Sequence, residues 1–399
     1  MYFRSLRSTF RDRNILLVYA TIFLLGVAYG ASLSVTPLQL AKEHFTKPEI
    51  GTLAIWFASG LVAMSIPAGA LIRRFSAKAT LMVSLLVYAL AVFLFPLQTT
   101  YVGTGVVRAL DGGASVGVWV ACETILLARA GKEHKALVMS YYAMAIAVGY
   151  ISGSGMARGI ASFADYTHVF FTSAALATMT AVFVSSRIDR SAHESASETN
   201  ESSALGVSTL IWRIKMSCFA TFAYGYFQAS VVLFLPLYLV EAKHVHEEST
   251  ILITAFFASG MLVFSSIAAR IGDRVGHLRV MTVLASIGFM MILGFVFLTS
   301  WPLMCAAIFV AGATLASISP VSLALQGHIA EPRDYSRANA IYTACYALGM
   351  LVGPPISSVL MSGRGGGPAM LYHLAAMWAV FIVATVVFHN DDPAREITR

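Results

Sequence analysis

Two ionisable residues of this chain stand where charge is costly. Arg108 and Asp111 fall inside the apolar run 101–128 and are three residues apart, so on a helix they share one face. Seven to ten residues into a membrane-crossing helix, they would lie ~10–15 Å below the surface, close to the midplane. A charge at that depth normally faces a cavity and serves a function. A carboxylate beside an arginine can take up and release a proton, because burial raises its proton affinity and the cation lowers it. Arg108 could instead clamp the carboxylate of a substrate, or the pair could simply neutralise itself and hold helices together. Glu123 follows twelve residues later, ~18 Å further along the helix. It is expected near the far end of the span, as a proton or substrate site or as a latch to Arg73 and Arg74.

The elements that must position these residues are membrane helices. Of 399 residues, 58% are hydrophobic and 12% charged, against about 25% charged in a typical soluble domain. Mean hydropathy is +0.75. A chain this apolar cannot clothe a soluble surface, so a water-soluble multidomain enzyme is excluded. With about 20 apolar residues needed per crossing, spans fall near 15–40, 50–72, 79–98, 101–128, 136–158 and 168–186. Six more follow near 209–239, 249–270, 278–299, 301–328, 337–361 and 367–388. The fold expected is all-α: twelve transmembrane helices in two pseudo-symmetric six-helix bundles, 1–186 and 209–399, joined by a Ser- and Glu-rich tether, 187–208.

Loop charge sets the orientation expected. Arg4, Arg7, Arg11, Arg13, Arg73, Arg74, Lys78, Arg129, Lys132, Lys135, Arg187, Arg190, Arg213, Lys215, Arg270, Arg274, Arg279, Arg333, Arg337, Arg395 and Arg399 lie on one side, whereas only Lys42, Lys47, Arg158, Lys243 and Arg364 lie on the other. Both termini and the tether are therefore expected in the cytoplasm, with the protein multi-pass in the cell (inner) membrane. The apolar run behind the N-terminal arginines is too long for a signal peptide. The net charge of +7 is loop charge without interleaved aromatics, so nucleic-acid binding is not expected. Cys122, Cys218, Cys305 and Cys345 fall singly inside spans, which argues for packing and against a disulfide or metal framework. His244, His246, Glu247 and Glu248 read as solvated loop chemistry. No metal, cofactor, nucleotide motif or Ser–His–Asp arrangement is expected, hence no enzyme.

The two halves repeat at an offset of 200 residues. Trp56-Phe57-Ala58-Ser59-Gly60 matches Phe256-Phe257-Ala258-Ser259-Gly260, and Gly149 and Gly153 match Gly349 and Gly353. Parallel repeats of this kind define one transporter architecture. The loop Gly272-Asp273-Arg274-Val275-Gly276-His277-Leu278-Arg279 resembles the signature that the major facilitator superfamily carries between spans two and three. Its first-half copy, Ile72-Arg73-Arg74-Phe75-Ser76-Ala77-Lys78, has Arg73 in the acidic place. Arg108–Gly113 resembles that superfamily's R-x-x-x-G element of the fourth span.

The resemblance implies alternating access by rocking of the two bundles. Arg73, Arg74, Asp273, Arg274 and Gly276 would be gate elements, and Gly349, Gly353 and Pro354 a bent close-packing segment. The cavity of this fold is lined by the first and fourth spans of each half. That makes Arg108, Tyr29, Gln39, Trp119, Tyr224, Tyr226 and Gln228 candidate substrate contacts, with Thr36, Ser317, Ser319 and Gln326 beside them. Polar-tipped aromatics suit an amphipathic organic molecule, and Asp111 and Glu123 are the proton-coupling candidates. The function expected is proton-coupled efflux of a small amphipathic molecule by a monomer in the lipid bilayer. The alternative is proton-coupled import of an organic anion or metabolite. The fifth span lacks the Gly-Pro motif of drug–proton antiporters, Ser154 standing after Gly153.

Overall fold

The computed structural model describes residues 12–129, 135–188, 206–331 and 334–391. Arg4, Arg7, Arg11, Lys132, Arg190, Arg333, Arg395 and Arg399, and most of the tether, lie outside these residues. Every regular element among the described residues is helical, as hydrocarbon requires of a chain that must satisfy its backbone polar groups internally. The first half contributes α1 (Arg13–Lys42), α2 (Lys47–Phe75), α3 (Ala77–Leu94), α4 (Tyr101–Arg129), α5 (Lys135–Ala161) and α6 (Tyr166–Arg187). After the short α7 (Val207–Arg213), the second half has α8 (Lys215–Lys243), the single turn α9 (Glu247–Thr250), α10 (Ile253–Val275) and α11 (His277–Phe295). A π-helical turn, Gly312–Ala316, separates α12 (Trp301–Ala311) from α13 (Ile318–Ile329), and α14 (Tyr335–Ser362) and α15 (Gly366–Val387) complete the chain. Among the described residues, eleven helical segments are long and apolar enough to cross a membrane, α12–α13 counting as one. The helix α5, 27 residues long, stands where the fifth span is expected.

The chain divides into two compact units, Met1–Phe45 with Ile55–Glu198, and Thr46–Ala54 with Thr199–Arg399. In the first, α1 packs on α5 and α6, and α3 on α4 and α6; in the second, α8 packs on α14 and α11 on α15. Between lipid-embedded helices there is little hydrophobic drive, so close packing of small residues has to supply the attraction.

The same glycine contacts recur in both units. A methyl group at Gly60 would stand 1.9 Å from the Ala109 carbonyl oxygen, and one at Gly260 2.0 Å from that of Phe309. At Gly112 the obstacle is the Phe57 carbonyl at 2.1 Å, and at Gly312 the Phe257 carbonyl at 2.0 Å. Gly149 and Gly349 likewise lean on the carbonyls of Phe23 and Phe222, at 2.7 and 2.2 Å. The sequence repeat is thus a repeat of helix crossings. Helix ends repeat too: His44 and His244 both adopt left-handed backbone, at φ 63° and 53°. Ser76 and Gly276, in equivalent turns, have φ 124° and 104°. Glycine tolerates that region freely, whereas Ser76 offsets its strain by accepting the amide of Ala79 at 3.2 Å. The halves part at Gly312–Ala316, π-helical where α4 continues as an unbroken α-helix.

Candidate functional site

The polar heart of the first unit is built on α4. Arg108 and Asp111 are 9% and 8% exposed. Spaced by three on one helix, their side chains converge, and Arg108 Nη1 donates to Asp111 Oδ2 at 2.7 Å. The Ser115 hydroxyl, one turn further, approaches Asp111 Oδ1 at 3.5 Å. The guanidinium lies over the Phe57 ring of α2, 4.6 Å from its centroid, held there because Gly60 and Gly112 let α2 and α4 touch backbone to backbone. A desolvated charge is expensive unless paired and bonded. Here the carboxylate, the serine and the ring face together meet that requirement.

Around the pair stands an aromatic platform. Tyr29 of α1 stacks on Tyr88 of α3 and Tyr150 of α5, with centroids 5.9 and 5.6 Å away. Trp119 of α4 meets it edge-on at 6.4 Å, and the Tyr88 and Ser32 hydroxyls are 3.3 Å apart. A cavity of about 10 Å³ is lined by Tyr29, Ser32, Thr36, Arg108 and Asp111 among others. That is the size of one water, and the lining offers the two to four polar partners a buried water needs. An organic substrate does not fit there. Asp111, Ser115, Trp119 and Glu123 follow at four-residue intervals and form one slowly drifting stripe along α4.

Glu123 is part-buried, with Tyr142 of α5 and its neighbour Cys122 within electrostatic reach. No ion pair among the described residues joins it to Arg73 or Arg74, both exposed at the end of α2. In the second unit Asp273 Oδ1 meets His277 Nε2 at 3.2 Å. Gly353, followed by Pro354 inside α14, lies close under the Tyr226 carbonyl, 2.5 Å from a methyl group placed there.

The other candidates separate. Gln39 is buried near the end of α1, donating to Glu43 at 3.1 Å, away from the Arg108 cluster. Tyr224 stacks on Tyr346 at 6.0 Å, and the Tyr346 hydroxyl donates to Gln228 Oε1 at 2.7 Å. Tyr226, two residues on and hence on the opposite helix face, bonds His373 of α15 instead. His244 caps the end of α8. Among the described residues no three His, Cys, Asp or Glu side chains group as a metal site. Cys218 packs with Leu210, Ile214 and Ala338 against Cys345. Phe57, Tyr88, Tyr150 and Tyr346 were missed as site residues. Phe57 was in view in the repeated block, but only as evidence of duplication.

A duplicated six-helix unit with a buried ion pair and polar-tipped aromatics defines a class of multi-pass membrane transporter. The model of the Major Facilitator Superfamily matches residues 18–246 and 217–399, and the chain belongs to that family of secondary transporters, which are not enzymes. It is similar to the uncharacterized MFS-type transporter YcaD of Shigella flexneri serotype 5b, 22% identical over 349 residues, covering 88% of this chain and 89% of the relative. The Escherichia coli O139:H28 protein of that name is 22% identical over 356 residues, with the same shares covered. Among solved structures, the fold resembles the nucleoside transporter NupG (TM-score 0.77, 14% identity, 94% of this chain and 98% of that one). It also resembles the E. coli fucose:proton symporter FucP (TM-score 0.61, 15% identity, 94% and 98% covered).

Proposed function

We propose that the chain exports a small amphipathic organic molecule in exchange for protons, and that Asp111 carries the proton. The observation that bears this reading is the enclosed Arg108–Asp111 pair, 2.7 Å apart, beside a cavity with room for one water. A carboxylate so placed can be protonated through that water. Protonation frees Arg108, which then has only the Phe57 face, so the ordering of α2 against α4 changes with the charge on Asp111. Substrate contacts are assigned to the aromatic surfaces: Tyr29 and Trp119 in the first unit, Tyr224 and Gln228 in the second. Glu123, further along the stripe, is a second proton-accepting group on the cytoplasmic side.

Export fits the absence of Asp and Glu from the first and seventh spans, 15–40 and 209–239, which leaves those linings suited to weakly charged cargo. A fucose:proton symporter has a similar fold, so proton coupling lies within this architecture's range. Import of an organic anion on Arg108 is disfavoured because its guanidinium is already committed to Asp111 and Phe57.

The test is transport by inverted vesicles whose lumen is acidified by respiration, screened with a panel of amphipathic compounds. An exporter accumulates its substrate, loses it on addition of a protonophore, and does neither with Arg108→Ala. Expulsion of an organic anion from preloaded inverted vesicles on energisation would establish import and overturn this reading.

A further inference from the structure

A groove of about 690 Å³ lies between α2, α3 and α4 of the first unit. Its walls include Trp56, Ala63 and Phe75 of α2, Val83 of α3 and Leu110 of α4, and its polar side-chain groups are the hydroxyls of Thr80 and Ser84 and the indole N–H of Trp56. It opens at the surface, since Phe75, Val83 and Leu110 are exposed. From Trp56 to Phe75 the α2 wall runs ~28 Å, close to the ~30 Å of a bilayer's hydrocarbon. An open apolar groove at that depth is occupied by acyl chain, because water gains nothing from such walls.

One end of the groove is basic. The Arg74 guanidinium lies over the ring of groove-lining Phe75, 5.3 Å from its centroid. Arg73 folds back along α2, its Nη1 3.6 Å from where a methyl group on Gly69 would stand. Lys78, next to groove-lining Ala79, donates to the Ser185 carbonyl at 2.8 Å. Among the described residues neither arginine has an acidic partner. In the second unit the place of Arg73 is held by Asp273, which is paired with His277. Two exposed guanidiniums without a carboxylate suit a phosphate, which arginine binds through parallel N–H donors.

We propose that this groove is a site for one anionic phospholipid, its acyl chain along α2 and α3 and its headgroup phosphate on Arg73 and Arg74. On the topology expected from loop charge, this is a lipid of the cytoplasmic leaflet. The α4 wall of the groove, Val106–Ala114, carries Arg108 and Asp111 on its other side.

A second groove of about 570 Å³, lined by Leu278, Arg279, Thr282 and Thr385 among others, makes a total lipid count uninformative, so the readout has to be local. Val83→Trp places an indole in the exposed wall at mid-chain depth. The fluorescence it adds to the wild-type signal is followed in phosphatidylcholine vesicles as lipid brominated at mid-chain replaces the unlabelled lipid. Brominated phosphatidylglycerol should half-quench that signal at a lower mole fraction than brominated phosphatidylcholine. Arg73→Gln and Arg74→Gln should each cut the preference about fivefold, while Arg73→Lys with Arg74→Lys keeps most of it. Equal half-quenching by the two lipids, or a preference that survives in the double glutamine variant, would overturn the proposal. Both arginines are exposed, so these variants leave the fold intact.

Discussion

At the scale of single residues, the Arg108–Asp111 pair makes stability and function separable. Removing one partner of a buried pair costs about 3–5 kcal/mol, whereas replacing both with apolar residues of similar volume is neutral or favourable. Arg108→Met should therefore lower the unfolding temperature in detergent sharply, and adding Asp111→Leu should restore it to wild type or above, with proton-driven transport still lost. If transport returned together with stability, the pair would be a structural brace and no more. At the surface the expectations are small. The hydrogen bond from Lys42, at 2.6 Å, holds the Asp165 carboxyl below the usual carboxylate range. Its contribution to stability is present above pH ~4 and fades as pH falls through the lowered value. With both side chains about half exposed, Asp165→Asn should cost less than about 1 kcal/mol. It should alter only the acid limb of a stability–pH curve, which denaturation at pH 3 and pH 7 would show.

At the scale of elements, the close crossing of α2 and α4 is what aims Phe57 at Arg108. Gly60→Ala and Gly112→Ala push a methyl group into a backbone carbonyl that has no rotamer to yield, at a cost of about 1–3 kcal/mol each. Gly155 and Gly159 of α5 have no atom within 4 Å of the added methyl, so alanine there should stabilise the helix by about 0.5–1 kcal/mol. Thermal unfolding of the four variants compares the predictions side by side, and equal shifts in both pairs would mean the crossing is looser than described. These crossings also explain what the sequence made legible. Apolar run length and the 200-residue offset are local or arithmetic signals, so helices and duplication could be read directly. So could Arg108 and Asp111, since their contact spans three residues of one helix. Tyr88 and Tyr150 join Tyr29 only through the way α3 and α5 lie against α1, and Tyr346 meets Gln228 only where α14 crosses α8. Tyr224 and Tyr226 were both candidate substrate contacts, yet opposite helix faces send them to different partners. The π-helical turn had no signal at all, Gly312 being matched by Gly112 in a plain α-helix.

At the scale of the whole molecule, scaffold and chemistry obey different symmetries. The glycine crossings recur 200 residues apart, but the positions corresponding to Arg108, Asp111 and Glu123 hold Ile308, Ala311 and Leu323. At these three positions the two bundles differ, charged in the first and apolar in the second. In the reading proposed above, the coupling group stands in the first half, and the cargo contacts proposed for the second are Tyr224 and Gln228. Asp111 is the proposed coupling group, and the direct measurement is proton movement on addition of substrate to proteoliposomes holding a trapped pH-sensitive dye. Wild type should move protons whenever substrate crosses. Asp111→Asn should carry substrate down its own gradient with no pH change in the lumen. Undiminished substrate-driven proton movement in Asp111→Asn would contradict the assignment and transfer the coupling role to another group.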